Sequence, residues 1–328
     1  MRVPCVRVDR EAGERTRKRL AEEGLLAEAW DIDVDDGALF IPVNDPDAVP
    51  EDLSVEPHDA PRRSTQTMPA DILGWDPSYE RLGSLAIVDE DDPKRAEQIA
   101  EALWNADLPI EGVLNRASKI KGRERTRDWE VLRGDSTRTV HREYGAEFAL
   151  DLEEVYFSPR LATERHRVVE QVFPEERAFD MFAGVGPFAI PMAMAGASVV
   201  GTDINGTAIE YLRENARRNG VAEQVTAIQG DVRTVAEEYE NWAERIVMNL
   251  PHSADAFLET AVALAGDRAT IHYYDIQHES APFEPGERAI REAAEPAYEV
   301  AVLTRHEVRT YAPHEVNVVL DVELRRSE

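Results

Sequence analysis

The chain has 328 residues and a single cysteine, Cys5, which excludes an intrachain disulfide and any cysteine-based zinc set. Its eight histidines are scattered without metal-ligand spacing, so no metal site is expected. No apolar run is long enough to span a bilayer, and the first ten residues are charged throughout, unlike a secretory signal. The expectation is a cytoplasmic chain with no membrane partner. Lysine is scarce, at Lys18, Lys94, Lys119 and Lys121 alone, and 65 acids against 37 bases leave a formal net charge of −28. Such a balance argues against nucleic acid as a partner of the chain as a whole.

The charge is unevenly spread. Between Arg116 and Arg142 nine bases face four acids, a basic island in an acidic chain. Lys119, Lys121, Arg123, Arg125 and Arg127 fall close together there and form a candidate phosphate-binding face. A hydrophobic share of 43% over this length supports two or three domains, each with its own core. Residues 1–68 read as a small domain and linker. They hold an amphipathic stretch from Glu11 to Ala29, a strand over residues 37–43 and a Pro/Asp/Ser-rich connection over 44–68. Residues 69–165 read as a middle α+β domain, with a strand over 82–88, a helix over 93–105 and a further strand from Gly112.

Residues 166–328 carry the most specific signal. Asp180-Met-Phe-Ala-Gly-Val-Gly-Pro-Phe reads as a buried strand breaking into a glycine turn that opens a helix. A second strand ends in Asp203, about 20 residues after the glycines, the spacing of a carboxylate that holds a ribose. The turn has Gly184 and Gly186 but an alanine in place of the third glycine, bulky Phe182 and Phe188, and Asp180 just upstream. An acid there repels a pyrophosphate and attracts a cation, which favours S-adenosylmethionine over a dinucleotide. Strands over 224–229, 245–249 and 269–275 follow, with Asp231 placed to reach an adenine edge and Asn249-Leu-Pro closing the fourth strand. An antiparallel pair over 298–304 and 316–324 completes a doubly wound α/β sheet, with ligands expected at the strand C-terminal ends.

This series resembles the class I S-adenosylmethionine-dependent methyltransferases. Asn249-Leu-Pro251 is similar to the Asn-Pro-Pro motif of enzymes that methylate base nitrogens, where an amide grips the edge of a flipped base. The segment Phe157-Ser-Pro-Arg-Leu-Ala-Thr-Glu-Arg165 sharpens the likeness. With it the whole chain resembles the archaeal and eukaryotic tRNA (guanine-N1)-methyltransferases that modify guanine 37, and the composition is similar to that of proteins from extreme halophiles. The resemblance implies Glu164 as general base, Arg125 as the donor to guanine O6 (Arg123 and Arg127 being near alternatives) and Asn249 on the base edge. It implies cofactor contacts from Arg165, Phe182, Gly184, Gly186, Asp203, Ile204, Asp231, Val232 and Asn249, a tRNA partner docked by the N-terminal domain, and a monomer. Three alternatives stay open: an aminocarboxypropyl transferase of the wyosine pathway, a methyltransferase for exocyclic nitrogens, and a catalytically silent tRNA-binding protein.

Overall fold

The computed structural model describes residues 2–63, 66–119, 122 and 125–328. It divides into two compact units, Met1–Thr67 and Met68–Glu328.

In the first unit, strands β1 (Val3–Asp9), β2 (Asp33–Asp35), β3 (Ala38–Pro42) and β4 (Ser54–His58) form an antiparallel sheet in the order β2-β3-β1-β4. Helix α1 (Gly13–Glu22) packs Leu20 against Val6 and Ile41. The amphipathic stretch expected to reach Ala29 stops at Glu22. Gly24 takes a left-handed conformation at φ 69°, and Leu25 N donates back to Leu20 O, a turn that ends a helix. The expected linker over 44–68 contains β4. Pro57 is tolerated there because β4 is an edge strand, paired on one side only with β1.

The second unit opens with α2 (Pro69–Leu73) and a four-stranded sheet of β5 (Glu80–Leu82), β6 (Leu85–Val88), β7 (Gly112–Arg116) and β8 (Trp129–Arg133), covered by α3 (Pro93–Asn105). Asp92 caps α3 by accepting from Lys94 N, Pro93 fits its first turn, and Ile99 and Leu103 are buried beneath it. The single strand expected over 82–88 is a tight hairpin. Gly83 sits at φ 57°, and a Cβ there would fall 2.5 Å from the Val140 carbonyl oxygen. Strands β9 (Arg138–Glu143) and β10 (Ala146–Asp151) form a second hairpin, turned at Tyr144 and Gly145, both with positive φ.

Helix α4 (Ala162–Val169) then leads into the large sheet. Its elements are β11 (Arg177–Asp180), α5 (Ala189–Met194), β12 (Ser198–Asp203), α6 (Gly206–Arg218), β13 (Val225–Gln229), α7 (Val232–Val235), β14 (Ala243–Met248), α8 (Leu258–Leu264), β15 (Ala265–His278), α9 (Glu284–Ala294), β16 (Tyr298–Ala312) and β17 (Glu315–Arg326). The strand order is β13-β12-β11-β14-β15-β17-β16, parallel from β13 to β15, with β17 antiparallel to both of its neighbours. This is the doubly wound sheet with a terminal hairpin that the strand pattern implies. One apolar core lies on the α4, α5 and α6 face, around Phe188, Leu212 and Tyr274. The other lies on the α8 and α9 face, around Phe179, Ile271 and Tyr273. The chain runs from β11 to β12 on one side and returns to β14 on the other, so a crevice opens between the loops after β11 and β14.

Candidate active site

Register places the strand ends along one edge. Asp180 pairs with Gly201 and Val247, Asp203 with Gln229, and Met248 with Tyr273. The loops that follow hold Phe182, Gly184 and Gly186, then Ile204, then Asp231 and Val232, then Asn249. These expected cofactor residues therefore share the C-terminal edge of the sheet.

The glycine turn is held from several sides. Asp203 Oδ2 accepts from Gly184 N at 2.9 Å, and its Oδ1 accepts from Asn205 N at 2.9 Å. One carboxylate thus fixes both the turn and its own aim. Gly184, at φ 52°, faces open space, where an added Cβ would meet nothing within 4 Å. Gly186, at φ 97°, is packed tightly, and a Cβ there would lie 2.6 Å from Leu212 Cδ1 and 2.8 Å from Ile190 Cγ1. Fully buried Asn215 on α6 donates to the carbonyls of Val185 at 2.9 Å and Ala149 at 3.1 Å, tying the turn to β10. Asp180 is 1% exposed. Its Oδ1 accepts from Phe182 N at 3.3 Å, and its Oδ2 is buried with no partner among the described residues. Burial pushes its carboxyl up to about 7, and the neighbouring Asp203 adds to the rise. Phe182 meets Phe257 edge to face at 5.0 Å, an apolar wall beside these acids. Asp231 caps α7 and pairs with Arg233 at 2.6 Å, and Val232 behind it is buried.

An open approach at Gly184, two acids, an orphaned carboxylate oxygen and an aromatic wall suit a ligand with a cationic centre and a sugar. The residues present therefore fit S-adenosylmethionine, which has a sulfonium and an ammonium group and no phosphate.

Helix α4 brings two adjacent residues to different partners. Glu164 is buried, with the Tyr274 hydroxyl donating to Oε1 at 2.7 Å and Arg167 gripping both oxygens at 2.8 and 2.9 Å. Arg165, also buried, donates from Nε and Nη2 to Glu143 at 2.6 Å each and to the Ser158 carbonyl at 3.2 Å. Its guanidinium is committed to the β9–β10 hairpin. Asn249 is half-buried directly after β14, one step beyond the Met248–Tyr273 pair and so level with Tyr274 on the next strand.

The basic island is more neutralised than its sequence suggests. Arg116 pairs with Glu80 and Asp89, Arg133 with Glu97, Arg138 with Asp151 and Arg142 with Glu147. Among the described residues, Lys119, Arg125 and Arg127 carry no ion pair. The Arg125 guanidinium lies 5.1 Å from the Tyr156 ring, on the segment that leads to Glu164. Arg127 lies 5.4 Å from the Trp129 ring, and burial together with nearby Arg116 holds its pKa below the usual range. Glu80 also accepts from Arg160 at 3.1 Å, so it joins the start of the island to the link segment. Lys121 and Arg123 lie outside the described residues.

Sequence reasoning passed over Arg167, Asn215, His272, Tyr274 and Asp321. A signal was present in the fifth strand, where His272 and Tyr274 interrupt a buried apolar run.

Residues 139–303 match the TRM5/TYW2 methyltransferase domain, residues 5–51 the tRNA methyltransferase 5 N-terminal domain and residues 65–137 the TYW2 N-terminal domain. The chain is 38% identical over 327 residues to the tRNA (guanine(37)-N(1))-methyltransferase Trm5b of Pyrococcus abyssi, covering 97% of this chain and 98% of that protein. It is 35% identical over 222 residues to the tRNA(Phe) (4-demethylwyosine(37)-C(7)) aminocarboxypropyltransferase of Pyrococcus horikoshii, covering 67% and 79%. Among solved structures, the complex of aTrm5 and tRNALeu superposes with a TM-score of 0.74 at 30% identity, covering 98% of this chain and 99% of that one.

Proposed function

The chain belongs to the TRM5/TYW2 methyltransferase family, and on that premise we propose that it transfers a methyl group from S-adenosylmethionine to N1 of guanine 37 in tRNA. The observation that supports the reading is that Tyr274 links Glu164 to the strand position of Asn249. The base candidate is bonded to Tyr274, and the amide that would grip the target base stands level with that tyrosine on the adjacent strand. The relative named as an aminocarboxypropyltransferase aligns with a smaller share of the chain, which favours methyl transfer.

Guanine N1 carries a proton at neutral pH and is a poor nucleophile. Glu164 takes that proton as the N1 lone pair is freed, and Arg125 donates to O6, where negative charge develops. Asn249 and the backbone of Leu250 and Pro251 hold the hydrogen-bonding edge of the base. Gly184 allows close approach of the cofactor, Asp203 holds its ribose, and Asp180 faces its cationic end. Ile204 and Val232 border the adenine, with Asp231 at its edge. Arg165 supports the site through Glu143 and Ser158. S-adenosylmethionine, when bound, supplies the methyl group as an electrophile on a sulfonium. Residues 1–68 dock the body of the tRNA, residues 69–165 bring the island of Lys119, Lys121, Arg123 and Arg127 to its backbone and contribute Arg125 and Glu164, and residues 166–328 bind the cofactor and contribute Asn249. The reading extends to a monomer working in the cytoplasm, in a salt-rich interior that screens its charge.

Substituting Glu164→Gln tests the assignment. Methyl transfer is expected to fall by about 10²–10⁴-fold, the range of general-base effects, with tRNA affinity kept. Undiminished transfer would remove Glu164 from the chemistry.

A further inference from the structure

Glu164 does not stand alone in its pocket. Its Oε1 accepts two bonds, from the Tyr274 hydroxyl at 2.7 Å and Arg167 Nη2 at 2.8 Å. Its Oε2 accepts one, from Arg167 Nε at 2.9 Å. His306 Nε2 on β16 lies 3.9 Å from Oε2, beyond hydrogen-bond range, on a side chain that is 47% exposed. A carboxylate oxygen has two lone pairs. Oε1 is therefore full, and Oε2 keeps one lone pair free.

Arg167 is shared with a second carboxylate. Its Nη1 donates to Asp321 Oδ2 at 2.5 Å and its Nη2 to Asp321 Oδ1 at 3.0 Å. Asp321, on β17, is 1% exposed and contacts His272 Nδ1 at 2.6 Å. Burial disfavours the charged form of His272 and lowers its pKa. The neutral ring accepts from Arg245 Nη1 at 2.6 Å through Nε2, so its Nδ1–H donates to Asp321. Arg245 is balanced in turn by Glu176 at 3.0 Å. Burial opposes ionisation of Asp321, but the bonds from His272 and Arg167 outweigh it and hold the carboxyl well below its usual range.

The charge count of this buried group is informative. Glu164, Asp321 and Arg167 together carry one negative charge in excess, and a single proton makes the group neutral. Asp321 accepts four bonds, from Arg167 twice, His272 and Gln171, and has no lone pair left for a proton, whereas Oε2 of Glu164 has one. The proton therefore goes to Glu164. We propose that Arg167 and Tyr274, backed by Asp321 and His272, are the positioning residues of Glu164, and that Oε2 is the atom that receives the N1 proton of the target guanine. The N1–H bond breaks, an O–H bond forms at Oε2, and the electron pair stays on N1 as the nucleophile. This rests on the functional reading given above.

The test is a set of double-mutant cycles read by single-turnover methylation and by tRNA affinity. Tyr274→Phe, Arg167→Lys and Asp321→Asn are each placed in the wild-type and in the Glu164→Gln background. Each is expected to slow the transfer step by about tenfold or more in the wild-type background, with tRNA affinity within about twofold. Each is expected to cost nothing further once Glu164 is gone, because residues acting through one group are not additive. Arg167→Lys keeps the charge and loses the fork, so it separates placement from charge. Additive losses, or losses of tRNA affinity alone, would overturn the proposal. Tyr274→Phe removes one buried oxygen and decides the matter even where Asp321→Asn does not fold. Wild-type protein that transfers no methyl group to G37 would instead sink the functional reading, and this proposal with it.

Discussion

Asp180 offers the sharpest physical test of the cofactor crevice. Its carboxyl is fully buried and pushed from an ordinary 3.8 up to about 7. The folded chain therefore binds this proton more tightly than the unfolded chain does. For a raised pKa the contribution to stability is complete below about pH 4 and is lost as pH rises through about 7. At about 1.4 kcal/mol per unit, the full loss is about 4 kcal/mol, of which about 3 kcal/mol falls between pH 5 and pH 8. Asp180→Asn keeps an oxygen for Phe182 N and removes the titration. Urea unfolding of the wild type and variant at pH 5 and pH 8, in constant salt, isolates the term, because other titrating groups cancel in the difference. The wild type is expected to lose about 3 kcal/mol relative to the variant between the two pH values. On the proposed reading, in which Asp180 faces the cationic end of the cofactor, cofactor affinity should also fall in the variant. A stability difference that is the same at both pH values would refute the reasoning.

Two further outcomes are expected. Gly186→Ala places a Cβ 2.6 Å from Leu212 Cδ1 in a left-handed backbone and should cost about 2–4 kcal/mol from conformation and overpacking together, measured by chemical denaturation. Arg125→Ala should lower single-turnover methylation by about 10²–10³-fold, as for loss of a donor to a developing oxyanion, with tRNA affinity little changed. The same loss from Arg127→Ala alone would move the O6 contact to that residue.

Local rules made much of this molecule legible in its sequence. The glycine turn, the acid at Asp203 and the alternating strands and helices follow from short-range patterns, and the sheet is built as they imply. Helix α3 begins at Pro93 and ends at Asn105, where its cap and apolar spacing place it. Other features were hidden because they depend on distant partners. Strand β4 is short and contains a proline, and only its pairing with β1 makes it a strand. Arg167 and Asp321 are 154 positions apart, and only the sheet brings them together. Arg165 is 22 positions from Glu143, and only the fold pairs the two inside the protein. The basic island reads as a bare cationic face, but the acids that neutralise much of it come from elsewhere in the chain.

The central claim is the reaction and its target atom. The direct measurement is transfer from methyl-labelled S-adenosylmethionine to a tRNA transcript with guanine at position 37, in molar KCl, beside the same transcript with adenine there. Labelled N1-methylguanine formed on the guanine transcript alone is the predicted result. Label on both transcripts, label on neither, or a heavier adduct built from the methionine backbone would contradict it.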